Sequence, residues 1–230
     1  MREPRFLTGG AAVTRAAADL VCPLVCGGCA RPGTAWCRRC DRSLHDAPIS
    51  VRPRVFPAAP VWALGRYRGV HRRAVLAVKE HDRRDLVAPL GSALAHGIRT
   101  LARWGELPDA PTLVLIPAPT RRLAARRRGG DRVTAFAHHA ATALGPRVRV
   151  VPVLATAATA RDSAGLDARA RARNLSGAIR PRTRKVALPH RATTILVDDV
   201  MTTGATAAES VRVLRRAGVG VDAVVVVAAA

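Results

Sequence analysis

The sequence predicts an α/β protein: a parallel sheet covered by helices on both faces, with a small cysteine-bearing segment at the N-terminal side. Three observations carry that expectation. Aliphatic runs such as LVLIP (Leu113 to Pro117), the ILV of TTILVDD and the VVVV near the C-terminus are apolar throughout instead of alternating, as strands buried on both faces are. Helical patterns separate these runs, and parallel strands need such crossovers. The chain has 230 residues, 49% of them hydrophobic, enough to bury a core as one domain or one domain with an appendage.

The N-terminal stretch, MREPRFLTGGAAVTRAAADLV, carries basic residues, but its apolar part is interrupted by Arg15 and Asp19 and has no signal-peptide core. No run reaches the length of a membrane span, so a cytoplasmic location is expected. In that reducing compartment cysteines call for a reason other than disulfides. All five lie in CPLVCGGCARPGTAWCRRC, residues 22 to 40. Cys26 and Cys29 form one CxxC knuckle and Cys37 and Cys40 a second, a pairing that suits a tetrahedral, coordinatively closed structural zinc. A redox CxxC would want a thioredoxin-like strand and helix around it, and neither that nor incidental buried thiols explains two knuckles. Cys22 is left over as a spare thiol or an alternative ligand.

A proline-rich passage, DAPISVRPRVFPAAP (Asp46 to Pro60), reads as a linker. A small region follows, with a strand-like Val61 to Leu64 and helical patterns from His71 and from Asp85 to Trp104. The alternating part then runs through LVLIP, an arginine-rich loop, the helix VTAFAHHAATALG, the strand-like VRVVPVL (Val148 to Leu154), a second arginine-rich segment, TTILVDD with its helix, and the closing VDAVVVVAAA. The resulting division is 1–48 (N-terminal helix and cysteine finger), 49–108 (linker and small hood-like region) and 109–230 (the sheet domain).

The formal net charge of +22 raises phosphate-bearing partners as a class. Of the 38 basic residues only Lys79 and Lys185 are lysine. Such a bias toward arginine, beside abundant alanine and valine, also fits a GC-rich codon usage and a merely solvated basic surface. Aromatics are 3% of residues, which argues against a surface that binds single strands by stacking bases.

The chemistry concentrates in TTILVDDVMTTGATAAESVRVLRRAG, residues 193 to 218. Ala207, Val211, Leu214 and Ala217 share one helical face, arginines fill the last turn and Gly218 supplies a stop, so the helix begins in the MTTGAT loop. Amides of Thr203 to Thr206, a side-chain-free Gly204 and threonine hydroxyls make a cup for a phosphate at that N-terminus. Asp198 and Asp199 would repel the phosphate itself, so they are expected to accept hydrogen bonds from hydroxyls further along the same ligand, the layout of a ribose 5-phosphate. No GxxxxGK[ST] loop supports a nucleoside-triphosphate reading, and AGVGVDA lies on the wrong side of its helix for a dinucleotide fingerprint.

ILVDDVMTTGAT resembles the phosphoribosyl-pyrophosphate signature of type I phosphoribosyltransferases. With the cysteine finger, KEHDRRDLVAPLGSALA, LIPAPTRRLAARRRGGDRVTAFA and RDSAGLDARARARNLSGAI, most of residues 22 to 230 is similar to the competence protein ComF family, often called amidophosphoribosyltransferase-like. RGGDR stands where the family has an RGFNQ-like run, and LIPAPT where it has VPVP. The resemblance implies a type I phosphoribosyltransferase fold. It further implies that Asp198 and Asp199 hold the ribose hydroxyls, that Thr202, Thr203, Gly204, Ala205 and Thr206 hold the 5-phosphate, and that Pro117, Ala118, Pro119 and Thr120 with Arg121 and Arg122 lie near the pyrophosphate. Magnesium would accompany the pyrophosphate. Lys79, a lysine where the chain otherwise writes arginine, is a further phosphate candidate against a plain surface reading; Arg121 to Arg132 read equally as a flap or a solvated face. His138 and His139 read as structural, and Arg173 and Asn174 match a family block without a derivable role.

Two functions follow from the resemblance. One is a phosphoribosyltransferase acting on an unidentified acceptor. The other is a non-catalytic accessory protein of DNA uptake or processing that binds single-stranded DNA or a helicase.

Overall fold

The computed structural model describes residues 24–120, 131–156, 177–183 and 186–230. Eight strands and five α-helices are defined within them. In chain order they are α1 (Arg38–Leu44), β1 (Ile49–Ser50), β2 (Val61–Ala63), α2 (Gly69–Glu80), a 3-10 turn (Arg84–Leu86), α3 (Val87–Arg103), β3 (Thr112–Pro117), α4 (Arg132–Leu144), β4 (Val148–Val150), β5 (Leu154–Thr156), β6 (Ile179–Pro181), β7 (Ala192–Met201), α5 (Ala205–Arg216) and β8 (Ala223–Ala229).

Six strands form one sheet in the order β1-β2-β8-β7-β3-β4, parallel throughout except for the antiparallel edge pair β1/β2. The continuous aliphatic runs become its centre because both faces are covered. Leu115, Ile195, Val197, Val225 and Val227 point to one side, against the buried faces of α2, α3 and α4. Their neighbours Val114, Ile116, Leu196, Val224 and Val226 point to the other, against Ala207, Val211 and Leu214 of α5. The period-two alternation of a strand thus feeds two separate cores from one apolar run. Each fully buried side chain of this kind contributes about 1.5–3 kcal/mol.

Residues 49–108 are continuous with the sheet domain: β2 adds in parallel to β8 through Val61↔Val224 and Ala63↔Val226, and α3 packs on α4. Gly91 permits that helix contact, since a Cβ there would meet the Phe136 carbonyl at 2.8 Å. The finger joins the same core through Leu44 of α1.

One local expectation is corrected. VRVVPVL is two strands in different sheets: β4 ends at Val150, and β5 pairs antiparallel with β6 in a separate two-stranded sheet. Pro152 has no amide proton to continue a ladder, and the Val153 amide instead bonds Val151 O at 2.9 Å, turning the chain. β7 itself runs through the acidic pair to Met201. Its neighbour β3 stops at Pro117, paired with Val197, while β8 runs on beside it to the Met201↔Ala229 pair. The acids therefore sit at the open step where one neighbouring strand ends.

Candidate functional site

That step lies at the carboxyl end of the parallel sheet, where open α/β folds bind ligands. Asp198 and Asp199 are both partly buried there. Asp198 Oδ1 accepts from the Asp199 amide at 2.8 Å, and Asp199 Oδ1 accepts from the Lys79 ammonium at 2.9 Å. Burial, and then the neighbouring Asp199 charge, push the Asp198 pKa up to about 8. Burial opposes the Lys79 charge, but the Asp199 carboxylate outweighs it and holds the ammonium above its ordinary range. Lys79 arrives from the last turn of α2, whose Ala74, Val75, Ala77 and Val78 are anchored in the core. The scarcity of lysine was the signal in the sequence; its partner, 120 residues away, was not legible.

Beyond Met201 the chain turns through exposed Thr202 and partly buried Thr203 to Gly204, the N-cap of α5, at φ +89. The Ala205 amide reaches Thr203 Oγ1 at 3.4 Å, so this hydroxyl faces the helix start. The remaining first-turn amides have no intrahelical acceptor and carry the positive end of the helix dipole. Ala205 is buried and Thr206 half-buried. One neighbour was not anticipated. The supposed linker folds back as a strap: the Val55 amide bonds Thr203 O at 2.8 Å, and a Cβ on Gly204 would meet Val55 O at 2.3 Å. Gly204 is thus required twice, by its positive φ and by this close approach.

The other side of the step is formed by the end of β3. Pro117 and Ala118 are buried, with the Ala118 amide bonded to Val197 O at 2.8 Å, and Pro119 and Thr120 are half-buried. Thr120 Oγ1 donates to Asp131 Oδ1 at 2.8 Å, and the same carboxylate caps α4 by accepting from the Val133 and Thr134 amides. The Asp-x-x-Thr pattern ahead of the helix was a readable cap. Arg132 pairs with Asp82. On α4, His138 is exposed and lines a shallow cleft with Thr142 and Arg149, and His139 packs its Cβ where Gly91 leaves room. A second cleft, lined by Arg191, Thr194 and Asp222, lies at the opposite end of β7. Arg121, Arg122, Arg173, Asn174, Lys185 and Cys22 lie outside the described residues.

A scan against protein-family models and a search of curated proteins return no match for this chain. The reading of the site therefore stands on its own residues.

The second constellation is the cysteine cluster. The sulfurs of Cys26, Cys29, Cys37 and Cys40 all lie within 4.8 Å of one another, with Cys29 and Cys37 at 3.7 Å. A tetrahedral ion at about 2.3 Å from each thiolate sets its ligands about 3.8 Å apart, so the quartet fits such an ion. Burial opposes the Cys26 thiolate, but backbone hydrogen bonds around Gly28, Cys37 and Cys29 outweigh it and bring its pKa to about 6. Cys40 is pushed well above its ordinary value, by burial first and then by the neighbouring sulfurs. Four sulfurs so close could together hold a structural zinc ion. Gly28 makes room, since a Cβ there would meet Cys40 Sγ at 2.6 Å. Arg83 braces the knuckles by donating to Val25 O at 2.9 Å and Ala35 O at 3.2 Å while Asp85 holds its other side.

Proposed function

We propose that this chain is a phosphoribosyl-pyrophosphate-binding protein with a type I phosphoribosyltransferase fold, carrying a structural zinc in its N-terminal finger. The single observation behind the reading is the acid pair at the open step of β7, followed within a few residues by the glycine-capped start of α5. In this reading the Asp198 and Asp199 carboxyls accept from the ribose hydroxyls. The α5 amides and the threonines from Thr202 to Thr206 take the 5-phosphate. The end of β3, Pro117 to Thr120, borders the place for the leaving pyrophosphate.

Transfer to an acceptor would break the bond from the anomeric carbon to pyrophosphate and form one to a nitrogen nucleophile. The departing pyrophosphate carries away the bonding electron pair, and the acceptor loses a proton. Positive charge on the ribose ring and negative charge on the leaving group develop together, and fixed dipoles and cations of the site stabilise them. No nucleophile on the protein is required. Among the described residues the cysteine quartet is the cluster of three or more metal-ligating side chains, so magnesium would arrive with the pyrophosphate.

Calorimetric titration with phosphoribosyl pyrophosphate tests the reading on the parent and on the Asp198→Asn/Asp199→Asn variant. At pH 9, above the Asp198 pKa of about 8, charge-assisted hydrogen bonds contribute roughly 1.5–3 kcal/mol each, so the variant should bind about a hundredfold more weakly or worse while melting as a folded protein. Equal binding by the variant, or none by the parent, overturns the proposal.

A further inference from the structure

Two adjacent carboxylates at the open end of a sheet are also what a divalent cation seeks, since hard cations take carboxylate oxygens. In this protein a side chain forestalls that. Lys79 Nζ stands 2.9 Å from Asp199 Oδ1, with the lysine side chain 35% exposed and the aspartate 16%. The ammonium is delivered by a rigid element: α2 is locked into the core on both sides of the preceding turn, and Lys79 follows directly on buried Val78. The residue type matters as well. A chain that uses arginine for 36 of its 38 cations has a lysine here. A compact ammonium with three donors presents a point charge to a carboxylate, as a metal ion does, whereas a guanidinium presents a planar fork.

We propose that Lys79 is a built-in counter-cation that takes the place of a divalent metal on Asp199, making the acid pair selective for hydroxyl donors over free metal ions. Lys79 is a specificity-determining residue in this account. The inference rests on the ribose-phosphate reading for the identity of the hydroxyl donor, but the exclusion of metal does not. A bare ion would have to displace an ammonium already held at hydrogen-bond distance, while a hydroxyl need only share the second lone pairs of the two carboxylates. A loss of Lys79 therefore frees Asp199 to take a metal ion.

The test uses zinc-loaded full-length protein at pH 8 and manganese(II) alone as probe, followed by calorimetry and by electron paramagnetic resonance of the free ion. Lys79→Gln and Lys79→Met should each gain one manganese site at least about tenfold tighter than anything in the parent, because an unpaired carboxylate attracts a nearby cation strongly in a partly buried setting. Lys79→Met preserves the length of the stem and guards against a packing defect in the glutamine variant. Lys79→Arg should gain nothing, and adding Asp199→Asn to Lys79→Gln should abolish the gain. The proposal is overturned if both folded neutral variants bind manganese no better than the parent, if the arginine variant gains as much as they do, or if the gain survives Asp199→Asn. Failure of the parent to bind phosphoribosyl pyrophosphate leaves this manganese series fully readable, so the two readings fail separately.

Discussion

Replacing Gly204 with alanine isolates the contact between the strap and the turn that opens α5. Holding a non-glycine residue in the left-handed region costs roughly 1–2 kcal/mol, and Gly204 sits there at φ +89. The new Cβ would lie 2.3 Å from Val55 O and 2.8 Å from Pro53 Cβ. Backbone oxygen and a proline ring cannot swing aside as a flexible side chain can. The strap must lift, with loss of the Val55 amide bond to Thr203 O, a net contribution of about 1 kcal/mol. Together these give about 3 kcal/mol, or a fall in Tm of about 6–12 °C for a chain of this size. Gly218 is the internal control: its φ is +80, but nothing lies within 4 Å of a Cβ there. Gly218→Ala should therefore cost only the conformational part, roughly 1–2 kcal/mol. Thermal melts of the two variants side by side decide the matter. If Gly204→Ala is no worse than Gly218→Ala, the strap does not close on the turn as described.

Metal analysis of protein purified without chelator should give one zinc per chain, and Cys40→Ser should lose it along with the folding free energy that a closed thiolate site supplies, on the order of 10 kcal/mol for such domains. A metal-free chain with a protease-resistant finger would refute this. The Asp198 pKa of about 8 has a definite sign in stability. The folded protein retains a proton that the unfolded chain gives up near pH 4, so this residue makes stability fall as pH rises from about 4 to about 8 and level off above that. Asp198→Asn should remove that slope and raise Tm at pH 8.5 by at least about 2–4 °C, the equivalent of about 1 kcal/mol; an unchanged or lower Tm refutes it. Binding to single-stranded DNA, measured by anisotropy, should be weak and fall by about a hundredfold or more between roughly 50 and 200 mM salt, because arginine–phosphate contacts release counterions. Tight binding indifferent to salt would contradict a charge-driven surface.

Much of the site's skeleton was legible in the sequence because it is written locally. The helix face Ala207, Val211 and Leu214 is buried as its spacing required, and the glycine before the helix is its cap. The two CxxC knuckles converge because α1 starts at the second of them, with Cys37 at its N-cap and Cys40 one turn in. By contrast, VRVVPVL looked like one strand because hydrophobicity carries no record of a missing amide hydrogen bond until a neighbour is known.

The sequence by itself determined the α/β class, the continuous apolar strands, the thiol quartet, and the carboxylates and glycine-capped helix start at the end of β7. These depend on period, spacing and residue type within a score or so of positions. Only the tertiary structure decided that β3 ends one pair before Asp198 and leaves the acids open, that residues 53 to 55 lie back over Gly204, and that Lys79 reaches Asp199 across 120 residues of chain. Those features come from strand register and from helices seated in a shared core. Such long-range geometry is fixed by the packing of the whole sheet, and no local pattern in the chain encodes it.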